Sequence, residues 1–203
     1  MKWKLKNTQR VSNLTDERVI VMNNLHTARR SPSHSRYIRN RGLVGSTTGN
    51  GAGVYVLGTF TQNGGTMQYN AAGGNGGAVF IAAGGSYTIT AGTITPNSAT
   101  GSGNGIYVTA SDTLTLSPSG AGAITLSDTV YLAAGVTFNI GADLGTGVNG
   151  TITLGFADPD DGRLVAIAGD SSYAEDSASK LVYQSGWSYV ADGVEIYLIY
   201  ESK

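Results

Sequence analysis

Between Gly42 and Phe156 the chain carries three carboxylates, Asp112, Asp128 and Asp143, and no Lys, Arg, His or Glu. Polysaccharide cleavage needs paired acids that divide acid and base work, or a bound Ca2+ with cationic side chains beside it. Three scattered aspartates suit neither, so no catalytic residues are expected and the chain is read as a non-enzyme. His26 and His34 both precede Gly42, which gives no Ser-His-Asp arrangement. The absence of cysteine excludes disulfides, thiolate metal sites and a cysteine nucleophile. Asp158, Asp160 and Asp161 offer oxygen ligands, but Asp158-Pro159-Asp160-Asp161-Gly162 lacks the spaced acids and closing Glu of a calcium loop. It reads as a solvated acidic turn, with no metal site and no cofactor.

The residues with the most to offer a ligand are aromatic. Tyr55, Phe80, Tyr107 and Tyr131 recur at spacings of 25, 27 and 24 residues, each flanked by aliphatic residues. If the flanks point inward, the rings form a continuous outward stripe that a glycan or a partner chain can touch. The alternatives are cross-coil stacking that only stabilises a sheet, the ordinary use of aromatic pairs, or an inward-facing aromatic stack. Thr59/Thr61, Thr88/Thr90 and Thr113/Thr115 form Thr-x-Thr pairs whose array resembles the surface of ice-binding proteins, although Thr is in any case a favoured strand residue.

Repeats must position these residues. Val54-Tyr55-Val56, Val79-Phe80-Ile81, Ile106-Tyr107-Val108 and Val130-Tyr131-Leu132 make one register, and glycines precede the first three. A second runs through Thr59-Phe60-Thr61, Ser86-Tyr87-Thr88, Thr113-Leu114-Thr115 and Thr137-Phe138-Asn139. A third runs through Met67, Ile94, Ile124 and Ile152. Three short strands in each period of about 25–30 residues are the pattern of a solenoid. Composition agrees: 30 glycines are about twice the usual share, and 13% charged residues are well below the usual quarter or so. The expected fold is all-β, a right-handed parallel β-helix of about four to five coils. Its interior ladders would be Val54–Val79–Ile106–Val130, Val56–Ile81–Val108–Leu132 and Met67–Ile94–Ile124–Ile152. Asn70 and Asn97, 27 residues apart, are expected to join their amides in a turn ladder.

The runs Gly51-Ala-Gly-Val-Tyr-Val56, Gly58-Thr-Phe-Thr-Gln-Asn-Gly-Gly-Thr-Met-Gln-Tyr-Asn70 and Gly76-Gly-Ala-Val-Phe-Ile81 resemble the β-helix repeats of bacterial cell-surface and adhesin-like proteins. The shape is similar to the pectate-lyase-like superfamily and, more loosely, to polymorphic outer-membrane-protein repeats. The likeness spans roughly Thr48 to Leu154. It implies an extracellular or cell-surface location and a noncatalytic structural or adhesive module that meets a glycan or a host or surface protein. The alternative it implies is a degenerate carbohydrate-active β-helix that binds or slowly processes polysaccharide.

Charge divides the chain. Residues 1–43 hold ten Lys and Arg against Asp16 and Glu17, a net of +8, and the remainder holds three against twelve acids, a net of −9. We therefore read 1–43 as a basic N-terminal arm or cap, 44–156 as β-helix repeats, and 157–203 as the last coil and a C-terminal β cap. Within the arm, Thr15 to Arg30 has the end signals of a helix, yet Arg18-Val19-Ile20-Val21-Met22 is β-branched enough for a strand. Ser31 to Ser35 reads as loop and Arg36 to Arg41 as an exposed basic run. No nucleic-acid motif accompanies the basic residues, so nucleic acid is not a favoured partner. No apolar run of about 18 residues occurs, so no transmembrane helix is expected. No apolar core of about 7–15 residues follows basic Met1 to Lys6, so no secretory signal is expected. Near the C-terminus, Trp187 to Val190 and Val194 to Tyr200 read as a hairpin across Ala191-Asp192-Gly193, bringing Trp187, Tyr189, Ile196 and Leu198 onto the last coil. Open solenoid ends carry unpaired backbone groups and favour edge-to-edge self-association unless covered.

Overall fold

The computed structural model describes residues 37–39, 49–111 and 113–201. The segment from Thr15 to Arg30, read as either helix or strand, lies outside them. A strand β1 (Tyr37–Arg39) precedes the first coil, which comprises β2 (Val54–Val56), β3 (Thr59–Gln68) and β4 (Ala71–Ala72). The second coil holds β5 (Val79–Ile81), β6 (Ser86–Ile94) and β7 (Ser98–Ala99). The third holds β8 (Ile106–Val108), β9 (Leu114–Leu116) and β10 (Ile124–Leu126). The fourth has β11 (Val130–Leu132), β12 (Phe138–Ile140) and a short helix α1 (Leu144–Gly147). The last runs through β13 (Ile152–Phe156), β14 (Arg163–Ala168), a 3-10 turn at Ser171–Tyr173, α2 (Ala174–Ala178) and β15 (Leu181–Val182). The hairpin β16 (Trp187–Asp192) and β17 (Glu195–Tyr200) closes the chain.

Parallel pairing stacks these coils into a β-solenoid of about five turns. One sheet has the order β15-β13-β11-β8-β5-β2. In the other large sheet, β9 pairs with Tyr87 to Ile89 at the start of β6, whereas β10 pairs with Gly92 to Ile94 at its end. β3 and β6 thus serve two faces each, and their mutual register shifts between Gln62 and Thr66, where the ribbon turns the corner.

Alternation explains the core. The register Val54–Val79–Ile106–Val130 continues to Leu154, and Val56–Ile81–Val108–Leu132 continues to Phe156. All ten residues are buried, each aliphatic one contributing about 1.5–3 kcal/mol by leaving water. The second expected register also holds: Phe60 pairs with Tyr87 and Tyr87 with Leu114. The column of Gly51, Gly76 and Gly103 enters the strands with φ of 66°, 69° and 71°, a left-handed conformation that favours glycine.

Three expectations need correction. Met67 stacks on Ile94, but Ile94 stacks on Leu126; Ile124 lies two residues back, opposite Gly92. A slip of two preserves the face, so Ile124 is still buried, and both alternatives satisfy the hydrophobic pattern. Ile152 belongs to the first sheet instead, paired with Leu181, because α1 occupies the fourth coil where the third-face strand was expected. Lastly, Tyr37–Arg39, inside the run read as exposed and basic, forms a parallel strand on Thr66–Gln68 of β3.

The C-terminal hairpin is present with a tighter turn than expected. Asp192 pairs with Glu195 across Gly193-Val194, and Gly193 has φ of 60°. β17 runs antiparallel to β14, burying Ile196 and Leu198, while Trp187 and Tyr189 pack partly buried against the core. Among the described residues, no helix is long and apolar enough to cross a membrane.

Candidate binding face

The central residue of each three-residue strand in the first sheet points outward, because its neighbours fill the core. Tyr55, Phe80, Tyr107 and Tyr131 are in register on successive coils. Their rings stack with centroids 5.1, 5.4 and 5.4 Å apart and interplanar angles of 24°, 9° and 12°. The column ends where Tyr131 pairs with Gly155. A Cβ at that glycine would come 2.7 Å from Tyr131 Cδ2, so only a residue without a side chain lets the ring lie down there.

Stacking changes what this face can offer. Ring faces are turned onto one another, and Phe80 in the middle is only 7% exposed. The tyrosines are half-buried, presenting ring edges and hydroxyls. Burial, with the neighbouring Tyr131 hydroxyl adding to it, pushes the Tyr107 hydroxyl above the ordinary tyrosine range. It therefore stays protonated at neutral pH, able both to donate and to accept a hydrogen bond. The result is a rigid apolar ridge with polar points, crossing four coils.

The threonine pairs do not stack as pairs. Thr61, Thr88 and Thr115 form one column that passes into Asn139, but Thr59 pairs with Ser86, not with Thr90. Thr113 is buried, with its hydroxyl donating to Ala110 O at 2.6 Å.

The carboxylates are separated and individually engaged. Asp128 Oδ2 accepts from Asn97 N at 2.8 Å and Asn97 Nδ2 at 2.7 Å. Asp143 caps α1, accepting from Gly145 N at 2.7 Å and from Thr146 N and Oγ1 at 3.2 and 2.8 Å. Desolvation opposes its ionisation, but the Thr146 and Gly145 hydrogen bonds and the charge of Lys180 outweigh it and hold the carboxyl below its ordinary value. Asp112, His26 and His34 lie outside the described residues. In the acidic turn, Asp158 pairs with Arg163 at 3.1 Å and accepts from Gly135 N at 2.8 Å. Asp161 accepts from Tyr200 N at 2.9 Å. The turn read as merely solvated thus fastens the hairpin to the last coil. Among the described residues, no group of three His, Cys, Asp or Glu is placed to hold a metal ion.

Two features were not anticipated. The expected Asn70–Asn97 contact is present, Asn70 Nδ2 donating to Asn97 Oδ1 at 2.8 Å, but Asp128 is a third rung. Its 31-residue offset from Asn97 hides it from a search at period 27. The second is Arg163, whose side chain is 7% exposed. It lies 4.5 Å from the Phe156 ring centroid and donates to Ala133 O and Val136 O at 3.2 and 3.1 Å. Desolvation is the main influence on it and lowers its pKa, with Asp158 acting in the other direction. The signal was available: Arg163 is the first cation after a stretch of more than a hundred residues without one.

No protein-family model, curated protein or solved structure matches this chain.

Proposed function

We propose that the chain is a noncatalytic structural and adhesive module of a bacterial surface protein, a stiff β-solenoid that presents its aromatic ridge to a glycan or protein. The observation that carries this reading is the continuity of Tyr55, Phe80, Tyr107 and Tyr131 along the outside of one sheet. A core-forming role alone would not require the aromatic rings to face outward. Because the ring faces are occupied by one another, the ligand lies along the ridge, across the coils. It packs apolar surface on the ring edges and hydrogen-bonds the hydroxyls of Tyr55, Tyr107 and Tyr131. Adhesin-like repeats, to which Gly51 to Ile81 is similar, make a cell-surface location the natural setting.

The test is binding of the purified chain to an array of extended polysaccharides and surface-protein ectodomains, with product release followed in parallel. Retention without product release, weakened at least about tenfold by Tyr107→Ala, is expected for loss of a central contact. Release of oligosaccharide would favour the degenerate carbohydrate-active alternative. Undiminished binding by Tyr107→Ala would remove the ridge from the account.

A further inference from the structure

Two rings of the outer ridge are neighbouring phenols. Tyr107 and Tyr131 are in register on β8 and β11, stacked with centroids 5.4 Å apart at 12°. The other stacked contacts, on the ridge and in the core, join a tyrosine to a phenylalanine: Tyr55 to Phe80, Tyr107 to Phe80 and Tyr87 to Phe60. The phenol pair is also bounded. Phe80 adjoins it on one side and Gly155 on the other, and neither can form a phenoxyl radical. Both tyrosines are half-buried and rooted at outward positions, so each hydroxyl and the Cε carbons beside it lie at the ring tip, towards solvent. In a phenoxyl radical those Cε carbons carry much of the unpaired electron density. The Tyr131 hydroxyl is close enough to oppose ionisation of Tyr107.

We propose that Tyr107 and Tyr131 form a site of oxidative cross-linking, coupled ring to ring through their Cε carbons by a peroxidase acting with hydrogen peroxide. The peroxidase takes one electron and one proton from each phenol, and these two electrons and two protons reduce the peroxide to two waters. The paired radicals form one Cε–Cε bond. Each joined carbon then gives up its hydrogen as a proton while the ring oxygen gains one, which restores both phenols. Two tyrosyl radicals ordinarily have to meet by diffusion, whereas parallel register holds these rings as permanent neighbours. Rotation about Cβ–Cγ brings stacked rings edge to edge, and Gly155, with no side chain, leaves Tyr131 room to turn. The absence of cysteine removes a competing sink for the radical. The bond fastens the third coil to the fourth across β8 and β11, which pair over only three residues.

The test is oxidation of the dilute full-length chain with a haem peroxidase and hydrogen peroxide. A monomer lighter by two hydrogens and showing dityrosine fluorescence is expected. Digestion before Asp112 and Asp128 should release the segments carrying Tyr107 and Tyr131 as one linked species. Tyr131→Phe keeps a ring in the stack but removes one phenol, and should lower the yield of intrachain dityrosine at least about tenfold. Tyr69→Phe and Tyr200→Phe, at exposed tyrosines, should leave that yield unchanged. Oxidation in denaturant should abolish the preference for this pair, because the fold no longer holds the rings together. Cross-linked dimers as the main product would overturn the proposal, as would an intrachain yield that Tyr131→Phe does not change. None of these readouts involves a ligand, so the cross-link is tested independently of the adhesive reading.

Discussion

Two aromatic stacks run through this solenoid, one inside and one outside, and their geometry is nearly the same. Phe60 and Tyr87 stack in the core with centroids 5.1 Å apart at 19°; Tyr55 and Phe80 stack on the surface at 5.1 Å and 24°. The coil spacing sets both. What differs is the surroundings. Tyr87 is wholly buried, and its hydroxyl donates to Gln62 Oε1, itself only 5% exposed. Burial pushes that hydroxyl well above the ordinary tyrosine range. Outside, the tyrosines keep an edge in water. The stacking distance therefore says nothing about function, whereas solvent contact decides whether a ring holds the rod together or remains available to a partner.

The sharpest way to break the comparison is to remove one ring from each stack. Tyr87→Ala leaves a core cavity and strands the Gln62 amide, and should destabilise the chain by about 3–5 kcal/mol. Tyr87→Phe keeps the stack but leaves Gln62 without its partner, for about 1–3 kcal/mol. Denaturant titration measures both. A loss below about 1 kcal/mol for Tyr87→Ala would mean that the interior can close around the gap, contrary to the packing described.

Tyr107→Ala removes two outward stacking contacts, with Phe80 and Tyr131, and leaves no interior cavity. The expected loss is about 1–3 kcal/mol, from two ring pairs worth roughly 0.5–1.5 kcal/mol each. The same titration should rank it clearly below Tyr87→Ala. If the two variants lose equal stability, the outer ladder is as structural as the inner one and the ridge has no surplus to offer a ligand.

How much of this was legible in the sequence follows from what strand periodicity encodes. The two-residue alternation in Val54-Tyr55-Val56 and its copies specifies a face, and the interval between copies specifies a neighbour. Both signals are clean in the first sheet, so its ladders could be read directly, whereas the outward direction of the aromatic column was open until the structure showed which parity faces the core. The third face was harder because the fourth coil replaces a strand with α1 and the third coil lengthens its turn. Ile124 and Leu126 satisfy the same face equally well, and sequence alone does not choose between them. The polar ladder was half legible. Asn70 and Asn97 share a residue type and a period, but Asp128 shares neither. Arg163 escaped because a burial site for a guanidinium is built from Phe156 and the carbonyls of Ala133 and Val136, contacts 7, 30 and 27 residues away.

The smallest effect expected lies in that polar ladder, which has a neutral end and an ionisable one. Asn70 and Asn97 are buried amides, whereas Asp128, half-buried, ends the column with a carboxyl. Desolvation raises its pKa, and the two hydrogen bonds from Asn97 only partly offset this. A carboxyl whose folded-state pKa lies above its unfolded value binds a proton more readily when folded. Its contribution is therefore most favourable below the unfolded pKa and declines as pH rises through the folded one. Asp128→Asn keeps an oxygen to accept from Asn97 while removing the charge, continuing the amide ladder by one rung. At neutral pH the variant should match or exceed the parent by roughly 0.5 kcal/mol, a modest figure because solvent screens a partly exposed group. On acidification towards the ordinary carboxylate range the gain should shrink as the parent takes up its proton. Parallel denaturant titrations at neutral and acidic pH measure the difference. A variant less stable than the parent at neutral pH, with the gap closing in acid, would show that the ionised carboxylate strengthens the ladder after all.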